Sequence, residues 1–272
     1  MSATDIKKPR GRPRQTAIES APAKALDKGL VALRRIAESD GISLNDLSLD
    51  LEMPLATLHR LLLTLESHGF VRQSKSDATW SIGIEAFRVG SAFPRAAKLL
   101  SIARPVLKDL ALKTGETANL GVIDQSEVIF IAQHETHHAI RAFFRPGSRS
   151  SWNSPGIGMV IVAFSDPLDQ RSQLEKAPFE QFTQHTLVQV DELIQELKRI
   201  RNVGYAFDQE ERFIGMRCIG APVFNSNNQV VAGISISGPV ARMSDDLIVQ
   251  LGQETARHGE EISKQLGAGA DS

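Results

Sequence analysis

The chain has 272 residues, 42% of them hydrophobic and 23% charged, with a formal net charge of −1 and one cysteine. That length fits one large domain or two ordinary ones with real cores, and a lone cysteine excludes an internal disulfide or a cysteine-rich zinc site. The longest uncharged stretch, Cys218 to Ala241, is broken by Pro222 and Asn225-Ser-Asn-Asn-Gln229, and only charged and polar residues follow Met1, so neither a membrane span nor a secretory signal is expected and the chain reads as cytoplasmic.

The near-neutral charge hides a basic start. Lys7, Lys8, Arg10, Arg12 and Arg14 stand against Asp5 alone, with no apolar anchor between Lys7 and Gln15, so residues 1–22 read as a flexible basic arm. Its Arg10-Gly11-Arg12-Pro13 is similar to an AT-hook core, in which arginines enter a narrow, strongly negative minor groove. A solvated basic tail is the plain alternative. Either reading favours an anionic polymer as partner.

Residues 23–84 read as a winged helix-turn-helix domain. Leu26, Leu30, Leu33 and Ala37 fall on one helical face, ending near Asp40-Gly41. Ser43-Leu-Asn-Asp46 is a variant capping box that opens a short second helix with Leu44, Leu47 and Leu51 inward. Pro54 suits the first turn of a third helix, whose stripe is Leu58, Leu61, Leu62 and Leu65 and whose stop is Gly69. Phe70-Val-Arg72 and Thr79-Trp-Ser-Ile82 alternate as two wing strands. With the leucines inward, Ala56, Thr57, His59 and Arg60 face outward at the N-terminal end of the third helix, the end a recognition helix presents to base edges.

Residues 85–114 read as a helical linker with breaks or kinks at Pro94 and Pro105, and residues 115–268 as an α+β sensor domain. Ala118–Ile123 with Val128–Ala132, and Ile219–Phe224 with Val230–Ser237, predict two hairpins; Ile140–Phe144 is a further strand candidate. Gly156–Phe164 and Asp191–Asn202 predict helices, and Ser244-Asp-Asp246 opens a last one running to about Leu266. Ser235 and Ser237, two apart on a strand, share one face as candidate donors in a pocket; satisfied core serines are the alternative. Gly156-Ile157-Gly158 precedes an apolar helix, so its free N–H groups suit a carboxylate.

Met53-Pro-Leu-Ala-Thr-Leu-His-Arg-Leu-Leu62, Gly69-Phe70, Trp80-Ser-Ile-Gly83, Ser101-Ile-Ala-Arg-Pro105, Gly115-Glu-Thr117, Gly204-Tyr205, Asp208-Gln-Glu-Glu211 and Gly233-Ile-Ser-Ile-Ser-Gly-Pro239 together resemble the IclR family of bacterial transcription regulators. Ala56 departs from it, standing where relatives often carry Ser or Thr. The resemblance implies a GAF-like sheet curved around a small-molecule pocket, a homodimer or homotetramer on double-stranded operator DNA, and no cofactor. The second half looks closest to the glyoxylate-responsive branch, which implies that Asp208 and Cys218 border a two-carbon oxo acid together with Gly156, Ile157, Ser235 and Ser237, Met216 and Ile157 limiting its length.

The rival class is an enzyme. His134-Glu135-Thr-His-His138 satisfies the H-E-x-x-H zinc pattern, but that chemistry needs a helix, and the run Val128-Ile-Phe-Ile-Ala132 leads into it as a strand. No metal site or catalytic residue is therefore expected. Gly233-Ile-Ser-Ile-Ser237 does not complete a Gly-x-Ser-x-Gly nucleophile elbow either.

Overall fold

The computed structural model describes residues 23–91, 94–154 and 156–269, so Arg10 and Arg12 lie outside the described residues. The chain divides into two compact units, Met1–Ala92 and Phe93–Ser272. Among the described residues no helix is long and apolar enough to cross a membrane.

The first unit holds α1 (Lys24–Ala37), α2 (Leu44–Asp50), α3 (Leu55–Ser67), a hairpin of β1 (Val71–Gln73) and β2 (Trp80–Ile82), and α4 (Ile84–Ser91). It is a helix-turn-helix with a two-stranded wing. Ser43 caps α2 by accepting the Asp46 N–H at 3.1 Å. Ile36, Leu47, Leu58, Leu62 and Trp80 form the core. The face of α1 differs from the expected one. Leu26 and Leu30 are exposed, whereas Gly29, Ala32 and Ile36 are buried. Both rows fit a 3.6-residue period, and the row that packs on α3 and β2 is the one with small residues anchored by Ile36 rather than the leucine-rich one.

The second unit runs α5 (Pro94–Thr114), β3 (Thr117–Asp124), β4 (Glu127–His134), β5 (Arg149–Ser151), α6 (Gly156–Phe164), α7 (Pro167–Leu174), α8 (Val190–Val203), β6 (Ala206–Gln209), β7 (Met216–Phe224), β8 (Val230–Pro239) and α9 (Ile248–Leu266). Its antiparallel sheet has the order β5-β4-β3-β8-β7-β6. One face packs on α5 and α9 through Leu107, Leu110, Ile219, Ile234, Ile236 and Ile262; α6 covers the other and α8 packs against α6.

Three expectations change here. The helix α5 runs through Pro105 without a break, and its Leu99, Ala103 and Leu107 are buried in this unit's core, so most of the expected linker is built into the sensor. Ile140–Phe144 is not a strand. The Arg242 guanidinium takes the Ile140 carbonyl at 3.0 Å and Phe144 stacks on Phe130, while β5 pairs with β4 as the edge. Ser244 lies in the turn before α9, which starts at Ile248.

Candidate functional site

Strand register builds a polar patch on one side of the second unit's sheet. Asp208 on β6 lies opposite Cys218 on β7, Cys218 opposite Ser237 on β8, and Ser237 opposite Thr117 on β3. Two residues along, Gly220, Ser235, Asn119 and Gln133 form a second row across β7, β8, β3 and β4. Paired residues share a face and alternate residues return to it, so the two rows look the same way. The intervening Ala118, Ile219 and Ile236 belong to the core under α5 and α9. Asn119 Nδ2 donates to Ser235 Oγ at 3.4 Å and Ser237 Oγ at 3.3 Å, and its Oδ1 accepts from Gln133 Nε2 at 3.1 Å.

The start of α6 meets this patch where no side chain fits. A methyl group on Gly220 would lie 2.4 Å from the carbonyl carbon and oxygen of Gly156, and one on Gly158 would lie 2.2 Å from the Trp152 carbonyl oxygen. Glycine at these positions lets helix and strand backbones touch. The Gly156 backbone and the side chains of Ser237 and Ser235 lie close enough to the Cys218 sulfur to pull its pKa down, against the larger upward push of burial. The following N–H groups of this helix's first turn have no partner within the helix.

A cavity of about 180 Å³ opens over the corner. Asp208, Cys218 and Ser237 line it from the sheet, and Phe143, Phe144, Phe213 and Met216 supply most of its apolar lining. Gly156 and Ser235 stand directly behind, against Cys218. Ile157 is different. Its fully buried side chain turns into the core below α6, against Gly121 and Gly233, so the aromatic residues rather than Ile157 bound the cavity.

Burial disfavours charge on the acidic groups of the site. Burial pushes Asp208 up to about 7, against the N–H groups of Glu211 and Arg212 that it faces. Burial first, and the Asp208 charge second, push Glu211 up to about 9; burial also pushes the Cys218 thiol up to about 11. Low-dielectric surroundings thus keep these groups largely or partly neutral at pH 7. Arg212, also lining the cavity, lies 3.7 Å over the Phe182 ring, and among the described residues its buried Nη1 has no hydrogen-bond partner. Asn119, Gln133 and Arg212 were missed in the sequence. Only Asn119 left a signal there, as a polar residue inside the apolar run Ala118–Ile123.

In the first unit, Leu58 and Leu62 are buried while Ala56, His59 and Arg60 are exposed and Thr57 is half-buried. The four therefore share the outward side of the N-terminal half of α3. In the H-E-x-x-H segment, His134 is the last residue of β4 and residues 135–138 are irregular, so the helix that would aim two histidines at one metal is absent. Glu135 instead pairs with Arg141 at 2.8 Å. No group of potential ligands with metal-site geometry occurs among the described residues.

Two family models match the chain. The IclR helix-turn-helix domain covers residues 25–75, and the bacterial transcriptional regulator IclR C-terminal domain covers residues 94–264. The chain is 42% identical to the HTH-type transcriptional regulator BhcR of Paracoccus denitrificans, over 93% of each chain. It is 34% identical to the HTH-type transcriptional repressor AllR of Escherichia coli, over 97% of this chain and 98% of that one. The crystal structure of the Thermotoga maritima IclR superposes with a TM-score of 0.73 at 30% identity, covering 89% of this chain and 98% of the other.

Proposed function

The chain belongs to the IclR family of bacterial transcriptional regulators, and on that premise we propose that glyoxylate, or a close relative such as glycolate or pyruvate, binds the second unit and thereby controls operator binding by the first. The protein is a DNA-binding regulator and not an enzyme. The observation that carries the finer reading is that Cys218, Ser237 and Asp208 line one small cavity while the start of α6 lies directly behind Cys218. The ligand carboxylate takes N–H groups at Gly156 and Ile157 and a hydroxyl from Ser235 or Ser237, charge-assisted bonds of about 1.5–3 kcal/mol each. Asp208, held near neutrality, serves the carbonyl end. Arg212 supplies a nearby positive charge. The resemblance to AllR and BhcR supports the choice of a small oxo acid. Calorimetric titration with glyoxylate, glycolate and pyruvate tests it: micromolar to millimolar binding of at least one is expected, and no binding of any refutes the ligand class.

The reading includes a pH dependence. An anion beside Asp208 favours its protonated form, so glyoxylate binding takes up a proton above pH ~7, and affinity falls by up to about tenfold per pH unit there. The apo domain follows the same sign: because the folded carboxyl titrates above its ordinary value, stability drains away as pH rises from about 4 to about 7. Asp208→Asn should flatten the binding profile. A wild-type affinity constant from pH 6 to 8.5 would remove Asp208 from the site.

For DNA, each chain presents one recognition helix, which suits half of a palindromic operator; two-fold pairing sets two such helices ~34 Å apart. Arg60 contacts DNA together with Thr57 and His59, and the arm with Arg10 and Arg12 adds phosphate or minor-groove contacts. Arg60→Ala should weaken operator binding by about 1–3 kcal/mol, roughly 5- to 150-fold, and leave glyoxylate binding unchanged. Equal affinity of variant and wild type in an electrophoretic shift assay would exclude Arg60 from the interface.

A further inference from the structure

The cavity holds a thiol beside an acid that titrates near neutrality, and simple anion binding uses neither fully. Cys218 lines the cavity, 7% exposed, and is the register partner of Asp208, which lines it too. The Gly156 backbone and the Ser235 and Ser237 side chains crowd the sulfur. Among the described residues, Thr117, fully buried and paired with Ser237 in register, has no hydrogen-bond partner for its hydroxyl, and Arg212 has none for its buried Nη1. An inert packing cysteine needs none of this company.

We propose that Cys218 captures an aldehyde-bearing acid covalently and reversibly, as a thiohemiacetal. The inference rests on the small-oxo-acid reading above and adds how the pocket tells an oxo acid from a hydroxy acid of equal size. The sulfur attacks the aldehyde carbon, an S–C bond forms, and the C=O π bond opens to an oxyanion. Protonated Asp208 gives its proton to that oxygen, which becomes a hydroxyl, while its other oxygen takes the thiol proton, so the carboxyl ends as it began and atoms and electrons balance with no oxidant or reductant. Burial makes the thiol a poor acid, so it does not ionise unaided and needs the adjacent carboxyl to relay its proton. The carboxylate stays at the α6 N–H groups, and the new hydroxyl meets the Ser237 side. A hydroxy acid such as glycolate has no carbonyl to attack and binds through its carboxylate alone; a ketone, more crowded and less electrophilic, adds less readily.

The chain has one cysteine, so its S–H stretching band in the Raman spectrum reports this thiol alone. Full-length protein is titrated with glyoxylate labelled with carbon-13 at the aldehyde carbon, and with glycolate, while calorimetry records binding. Loss of the S–H band with glyoxylate but not glycolate, with the labelled carbon moving from its hydrate position to that of a carbon bearing sulfur, is the expected result. Cys218→Ser, close in size, should bind glyoxylate at least tenfold more weakly than wild type, no better than it binds glycolate, and show no such carbon signal. Glyoxylate binding with the S–H band retained overturns covalent capture and leaves the effector reading standing. No calorimetric binding of glyoxylate to wild type overturns the effector reading and the adduct with it.

Discussion

Gly220→Ala is expected to be one of the most damaging single methyl additions in the second unit. Its added carbon would lie 2.4 Å from the Gly156 carbonyl, a backbone atom that cannot swing aside as the end of a side chain can. The strand must therefore push α6 away, and α6 brings Gly156 to the Cys218 sulfur. Overpacking of this kind costs about 3 kcal/mol or more, which lowers the melting midpoint of a domain this size by roughly 6–12 °C. Glyoxylate affinity falls with it, because the N–H donors move with the helix. Gly29→Ala is the control. An added methyl there meets nothing within 4 Å, so this helix substitution should raise stability by about 0.5–1 kcal/mol. A Gly220→Ala protein that melts like wild type and binds glyoxylate equally well would show that the helix does not rest on β7.

The double substitution Ser235→Ala with Ser237→Ala is expected to weaken glyoxylate by about 10- to 150-fold, from loss of a charge-assisted bond of about 1.5–3 kcal/mol. Asn119 would lose both acceptors of its amide, so some loss of stability accompanies the change. Circular dichroism at the assay temperature separates the two effects. Operator affinity without glyoxylate should remain that of wild type, since neither serine belongs to the first unit. Undiminished glyoxylate affinity in a folded double variant would move the carboxylate elsewhere.

How much of this was legible depended on whether the signal was local. The helix-turn-helix was, since Ser43 caps α2 by a bond three residues away and the Leu58/Leu62 spacing fixes which side of α3 shows Ala56, His59 and Arg60. The two main hairpins also announced themselves through their turns. Ser235 and Ser237 could be placed on one face by strand alternation alone, and the structure brings them, Gly156, Asp208 and Cys218 together. Asn119 could not be linked to them, because 116 residues separate it from Ser235 and only the β3–β8 register joins them. Arg212 sits on an irregular segment whose path follows from packing against Phe182. Local pattern also misplaced Leu26 and Leu30, where two rows of one helix obey the same period, and Ile140–Phe144, where an Arg242 side chain takes a carbonyl that a neighbouring strand would otherwise take. At Pro105 a break does not occur: α5 continues through it, with Ala103, Leu107 and Leu110 buried in the core.

Control of DNA binding by the pocket is tested most directly by fluorescence anisotropy of a labelled operator fragment, titrated with the full-length protein with and without saturating glyoxylate at one fixed salt concentration. A ligand that prefers one arrangement of the protein must change operator affinity by its coupling free energy, typically about 1–3 kcal/mol or 5- to 150-fold. A shift of that size is expected in wild type, with none in the Ser235→Ala/Ser237→Ala protein and a matching change in glyoxylate affinity when operator is present. An operator affinity that stays the same while calorimetry shows glyoxylate bound would contradict it.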